Sequence, residues 1–391
     1  MSKVFIISSA RTPLGSFQGG LSNIPATELG GYAIKESVKK SQIPINDIDE
    51  VYVGNVLSCA LGQNPAKQCA IFGGLLPTTP CTLVNKVCCS SLKAMIIATQ
   101  LIKTNEINTA VIAGTENMSL SPRFVEGTRS IKKLGSANLS NPVEAKDSML
   151  VDGLWDSFND KHMGSLADNC AKNIGISREE QDRYSIQSFH RAQEGWKSGF
   201  LDVFSLNGIE KDEVISKLIE EKVSTLRPCF NANGTITAAS SSALADGAAA
   251  VVLASENYVL SHSDKIAKPI AKIISYANAE RDPKEFTLAP IDAAKKALDK
   301  AGLSIDQIDL WEVNEAFAVV PLMLIKELKI KEDIVNVFGG GISLGHPLGC
   351  TGVRIVNTLI SALKAKGKKI GLATLCNGGG GANAIIIELC E

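Results

Sequence analysis

The chain has 391 residues, more than one ordinary core holds, so two domains or one large layered unit is expected. Lys and Arg number 40 against 41 Asp and Glu, and no basic stripe with interleaved aromatics occurs, which argues against a nucleic-acid partner. The four histidines stand in no zinc pattern, and the ten irregularly spaced cysteines form no disulfide framework, which points to a reducing compartment.

Taken in order, residues 4–8 read as a first strand, too short for a signal-peptide core. Residues 26–41 carry a helical pattern and 50–55 a strand pattern. A short apolar strand from Thr82 runs to the pair Cys88-Cys89, and a helix over 90–103 follows with apolar residues on more than one face, as in a buried helix. Strand patterns continue at 109–114, 248–253, 310–313, 334–338, 370–375 and 384–389, and helical ones at 178–198, 291–301 and 349–366. No run is long enough to span a membrane, and the end Leu389-Cys390-Glu391 matches no targeting or prenylation signal. A cytoplasmic protein with no membrane attachment is expected. Alternation of strands and helices throughout predicts an α/β fold.

A repeat is visible within the chain. Ile48-Asp49 to Asn55 lies over Ile308-Asp309 to Glu315, and the same offset lays Ala33 on Ala293 and Ala110–Asn117 on Ile370–Asn377. The period is far too long for a solenoid, so the chain reads as a duplicated α/β unit. In that register Cys88 falls two residues from His346, so each half offers a strand, a turn with a reactive side chain, and a buried helix. Residues 119–233 break the pattern with a charged helix and a polar stretch at 132–146, and read as a loop subdomain set into the first half.

Several stretches carry chemistry. At the start of a helix, Cys88 or Cys89 would feel unpaired N–H groups and the helix dipole, which favour thiolate; the bland alternative is two small core cysteines. Asn314-Glu-Ala-Phe317 follows a strand, where Asn314 either enters a site or caps the next helix. Gly339 to Gly352 surrounds His346 with glycine and leaves little mass to bury it, and it matches no dinucleotide or nucleotide-phosphate loop. Cys376-Asn-Gly378 and three further glycines join two apolar strands, more glycine than a turn requires. His162-Met163-Gly164 opens a helix inside the insert, where His162 meets substrate or merely caps. Two cysteines, a histidine and an asparagine at strand ends describe acyl transfer coupled to carbon acidity: one cysteine forms a thioester, the histidine activates it, and the other cysteine moves a proton on carbon.

Six motifs, Asn85-Lys-Val-Cys88, Gly234-Thr-Ile-Thr-Ala238, Asp246-Gly-Ala248, Asn314-Glu-Ala-Phe317, Gly345-His-Pro347 and Gly371-Leu-Ala-Thr-Leu-Cys376, occur in one order along the chain. With them the sequence resembles the thiolase family over essentially its whole length, most closely the acetyl-CoA acetyltransferase branch. The resemblance implies two halves, 1–265 and 266–391, forming a layered αβαβα core with 119–233 inserted. It implies reversible condensation of two acetyl-CoA to acetoacetyl-CoA and CoA through an acetyl-cysteine; the alternatives are a thiolase of broad chain length and a non-catalytic acyl-CoA-binding relative. By resemblance Cys88 carries the acyl group, His346 activates it, and a water on Asn314 completes an oxyanion hole. Cys376 moves the carbon proton, and the N–H groups of Cys88 and Gly378 form a second hole. Coenzyme A is expected near Leu154, His162, Met163, Lys222 and Ser242, with Phe286 lining a short acyl pocket. No metal or organic cofactor is implied, and a homodimer or homotetramer is. The chain departs from the family's pattern at Cys89, Ser91, Ala239–Ala243, Ala245 and Phe338, and in a shorter segment before Lys222. Phe189 stands where potassium-activated relatives carry tyrosine, which removes a phenolic ligand for that ion.

Overall fold

A computed structural model of the chain describes residues 2–127 and 144–390, so most of the polar stretch 132–146 lies outside the described residues. The main strands are β1 (Val4–Arg11), β2 (Glu50–Gly54), β3 (Cys81–Val84), β4 (Thr109–Asn117), β5 (Ala245–Ser255), β6 (Ala271–Glu280), β7 (Leu310–Val313), β8 (Ile370–Asn377) and β9 (Gly381–Leu389). They lie in the order β7-β8-β9-β6-β1-β5-β4-β2-β3.

That order is one motif written twice. In the first half β2 pairs in parallel with β3 and β4, β4 runs antiparallel to β5, and β5 antiparallel to β1. In the second half β7 pairs in parallel with β8, β8 runs antiparallel to β9, and β9 antiparallel to β6. Among the described residues the two half-sheets join edge to edge where Val4–Ile6 meets Ile273–Ala271. The place equivalent to β3, residues 334–338, is where the expected strand is missing. Its one bridge to β7 among the described residues is the parallel pair Trp311–Val335, and Val337 bridges locally to Gly339. Asn336 has φ +49°, and its side chain accepts from the Val313 N–H at 2.7 Å and donates to the Val313 carbonyl at 2.8 Å. A side-chain amide thus satisfies the edge that backbone pairing would otherwise fill.

The helices are α1 (Ala26–Ser41), α2 (Ser90–Lys103), α3 (Met163–Ile174), α4 (Arg178–Lys197), α5 (Ala289–Ala301), α6 (Val319–Leu328) and α7 (Thr351–Lys366). Residues 349–350, expected in the last of these, belong to a separate 3₁₀ turn, Leu348–Cys350. α4 opens with a reciprocal capping box between Ser177 and Glu180. Three apolar clusters alternate with the two half-sheets, which makes five layers. One cluster holds α1 and the outer face of the first half, and one holds α5, α6 and the outer face of the second. The third lies between the halves around α2 and α7. Every residue of α7 from Thr351 to Leu363 is buried, so its polar stripe, Thr351, Arg354, Asn357, Thr358 and Ser361, faces protein rather than water. The insert is tied back to β1 by Arg11, which donates to both oxygens of the buried Asp212 at 2.7 and 2.8 Å.

α2 and α7, equivalent in the repeat, cross closely in the central layer. Ser91 Oγ donates to the Cys350 carbonyl and accepts from the Val353 N–H, at 3.2 and 3.1 Å, so its hydroxyl joins the two helix starts. A Cβ on Gly352 would overlap the Leu92 backbone nitrogen. Gly352→Ala is therefore expected to cost about 1–3 kcal/mol of stability, because backbone cannot yield as a side chain can. Urea denaturation of the variant checks this, and an unshifted midpoint would mean that the crossing has slack.

Candidate active site

Cys88 reaches the site because the chain bends sharply ahead of α2. β3 ends at Val84, and Val87 lies at φ +48°, a region that β-branched residues avoid. Local bonds hold it there: the Val87 N–H donates to Asn85 Oδ1 at 3.0 Å, and Ser90 Oγ donates to the Val87 carbonyl at 2.6 Å. Strain of about 1–3 kcal/mol at such a residue persists only where its surroundings over-determine it. The bend turns the two cysteines apart. Cys88 lines a cavity, whereas Cys89 is fully buried with its thiol donating to the Leu375 carbonyl at 3.3 Å. This separates two residues that sequence patterning left equivalent.

The expected thiolate at this helix start is corrected by the electrostatics. Burial pushes the Cys88 thiol up to about 12, against opposing pulls from the backbone N–H groups of Cys88 and Gly378. The anion site is present, but desolvation outweighs it, so Cys88 rests as a thiol and needs a base.

His346 lines the same cavity. Gly345, at φ +117°, turns the chain so that the imidazole faces inward, and a Cβ there would press on Ala245. Burial, then the positive charge of Arg354, push the imidazole down to about 3, so it is neutral at pH 7 and free to accept a proton. Its Nδ1 lies 2.6 Å from Thr351 Oγ1 and its Nε2 3.4 Å from Asn314 Nδ2. Asn314 does not cap the next helix. Its amide lies between His346 and Arg354, whose Nη2 donates to Asn314 Oδ1 at 3.4 Å.

The glycine loop before His346 closes on a side chain of this protein. Glu315 accepts from Tyr184 Oη at 2.9 Å, Ser188 Oγ at 2.8 Å and the Ile342 N–H at 3.1 Å. A Cβ on Gly340 would strike that carboxylate. The insert thus reaches the site through α4, which carries Tyr184 and Ser188.

Cys376 sits at the end of β8 and lines the cavity with Gly378. Burial, then the neighbouring Cys88, push its thiol up. The glycines after it divide their tasks: Gly379 and Gly380 take φ +90° and +91° to make the turn, and Gly378 leaves the cavity wall open. The cavity measures about 50 Å³, room for a few small atoms. Leu154, His162, Met163, Ser242 and Phe286 all line it. His162 both caps and lines: its Nδ1 accepts from the Gly164 N–H at 3.0 Å, which leaves Nε2 to carry the proton. Lys222 is not brought there; it stands exposed on the short helix Glu220–Val223. Phe189 is buried in an apolar cluster beside Tyr184.

Three residues near the site were not singled out in the sequence. Glu116 is buried and accepts from Asn55 Nδ2 at 2.6 Å and from the N–H groups of Val56, Leu57 and Gly349 at 3.0, 3.1 and 2.9 Å. It clips the segment after His346 to the first half, and burial, opposed by these donors, pushes it up to about 7. The repeat register lays Glu116 on Cys376, a signal that was available. Thr351 and Arg354 lie on α7, and the one sign was a cation within an apolar helix.

A nucleophile turn and a histidine turn, raised by two copies of one α/β motif and meeting a second cysteine in one cavity, define a cysteine-dependent acyltransferase. Comparison with known proteins agrees. Residues 4–257 match the thiolase N-terminal domain and residues 267–389 the thiolase C-terminal domain. The chain is 44% identical to a cytosolic acetyl-CoA acetyltransferase of Gibberella zeae, over 98% of each chain. It is also 44% identical to a mitochondrial acetyl-CoA acetyltransferase of Rattus norvegicus, over 99% of this chain and 91% of that one. A thiolase from Ascaris suum, solved in complex with coenzyme A, superposes with a TM-score of 0.92 at 41% identity, covering 99% of this chain and all of that one. The chain belongs to the thiolase family.

Proposed function

We propose that the protein is an acetyl-CoA C-acetyltransferase that condenses two acetyl-CoA to acetoacetyl-CoA and CoA and runs the reverse thiolysis. One observation carries this reading: Cys88, His346 and Cys376 line a single cavity of about 50 Å³, walled by Met163, Phe286 and Leu348. The names of the relatives above support the substrate.

The chemistry balances with these groups alone. Cys88 attacks the acetyl thioester as His346 takes its proton, and the oxyanion is met by the imidazolium and a water on Asn314. CoA leaves as thiolate and takes the proton of Cys376. The Cys376 thiolate then removes a methyl proton from the second acetyl-CoA, whose thioester oxygen is held by the Cys88 and Gly378 N–H groups. The enolate attacks acetyl-Cys88, and the sulfur leaves to recover its proton from His346. Acetylation leaves Cys88 unable to ionise, so Cys376 can take up charge in the second half-reaction with no thiolate beside it.

Coenzyme A would lie along Leu154, His162, Met163 and Ser242. We place no metal or organic cofactor in the reaction, and Phe189 speaks against a potassium ligand at its position. A cytoplasmic homodimer or homotetramer is our reading of the assembly. Supporting it are the edge position of β3, the exposure of Trp155 and Phe158, and, among the described residues, no helix long and apolar enough to cross a membrane. The deciding experiment compares kcat/KM for C4 and C8–C16 3-ketoacyl-CoA. A preference for C4 of at least 100-fold is expected, since two or more methylenes that find no room forfeit about 1–3 kcal/mol each. Equal rates would assign a thiolase of broad chain length.

A further inference from the structure

Arg354, Asn314, His346, Thr351 and Pro347 form an unbroken line of hydrogen-bonding groups. Arg354 Nη2 lies 3.4 Å from Asn314 Oδ1, and Asn314 Nδ2 lies 3.4 Å from His346 Nε2. His346 Nδ1 lies 2.6 Å from Thr351 Oγ1, and that hydroxyl lies 2.8 Å from the Pro347 carbonyl. All four side chains are buried.

The two ends have fixed character. A guanidinium only donates, and a backbone carbonyl only accepts. Between them stand an amide that can turn over, an imidazole with two tautomers and a hydroxyl that can rotate, none of which has a polarity of its own. Arg354 demands Oδ1 from Asn314, which aims the amide N–H at His346. The Pro347 carbonyl, which also accepts the N–H groups of Cys350 and Thr351 at 3.0 and 3.1 Å, accepts the Thr351 hydroxyl in a common back-bond to the residue four earlier, and this leaves a hydroxyl lone pair for Nδ1. The opposite tautomer would set two donors against each other at Nε2, the cost of an unmade buried bond, and would turn the Thr351 hydroxyl away from its Pro347 back-bond.

We propose that Thr351 and Arg354, three residues apart on α7, are positioning residues that set His346 in its Nδ1–H tautomer. Nε2 is thereby left unprotonated, an acceptor held by the Asn314 amide, on the imidazole that lines the cavity with Cys88. Neither residue lines that cavity, and their effect passes through His346 and Asn314. The inference deepens the reading of His346 as the base, but it is read from the protein without turnover. Its failure would leave the acetyl-cysteine route intact, and failure of that route would leave the tautomer unaltered.

The test is ¹⁵N NMR of the full chain labelled at histidine, with the His346 signals assigned by their loss in His346→Asn. Wild-type protein and Thr351→Ser are expected to show a protonated Nδ1 and an unprotonated Nε2. Thr351→Val removes the acceptor, and an increased Nε2–H population is expected, with kcat lowered at least tenfold and KM for acetyl-CoA within about twofold. Arg354→Lys keeps a donor-only end and should retain the wild-type tautomer, whereas Arg354→Gln should not. An Nε2–H imidazole in the wild-type protein overturns the proposal whatever the variants do. So does a folded Thr351→Val that keeps both the wild-type tautomer and the wild-type kcat.

Discussion

Cys88→Ser is expected to lower thiolysis of acetoacetyl-CoA by at least 10³-fold, about 4 kcal/mol of transition-state stabilisation. The serine hydroxyl is a far weaker nucleophile than the thiol it replaces, and His346, held near 3 by burial and Arg354, is too weak a base to offset that. The fold should survive, because Cys88 faces a cavity and serine is the smaller side chain. Mass spectrometry after addition of acetoacetyl-CoA separates this from a general loss. The wild-type protein should carry one acetyl group on the peptide containing Cys88, and the variant none. An acetyl group on Cys89 would transfer the role to the neighbour, although the structure turns that thiol into the core. Wild-type protein that never acquires the label would instead be an acyl-CoA-binding relative.

Cys376→Ala should separate the half-reactions. Loss of the group that moves the carbon proton is expected to lower condensation and thiolysis by about 10²–10⁴-fold. Acetylation of Cys88 by acetyl-CoA should persist, slowed much less, since a thiolate is a capable leaving group without full protonation. The measurement pairs burst acetylation with steady-state condensation in one preparation. Near-wild-type condensation would remove Cys376 from the chemistry. Equal loss of both steps would place it in the acylation step as well.

Much of this architecture can be read from the residues. The constant offset between Ile48–Asn55 and Ile308–Glu315 announces the duplication, and the structure repeats the strand order it implies. The helices at 26–41 and 90–103 coincide with their apolar patterns. Where reading failed, a side chain had replaced a backbone rule. Asn336 occupies the edge that an expected strand would have filled, and Glu315 occupies the space that the glycine loop encloses. The thiol of Cys88 was misjudged because a helix start counts toward thiolate only while water is near, and here the burial of the site decides.

The sequence by itself singled out the stretches expected to bear chemistry: the pair Cys88-Cys89, His346, Cys376 and Asn314 stand at strand ends, where local pattern and the internal repeat place them. Resemblance favours Cys88 over Cys89, and the tertiary structure supplies the physical reason: one strained residue, Val87, sends the first thiol into the cavity and the second into the core. The tertiary structure also decided what Glu116, Thr351 and Arg354 are for. Their partners lie in other turns or across the pseudo-symmetric interface, and a hydrogen bond between such groups has no period along the chain.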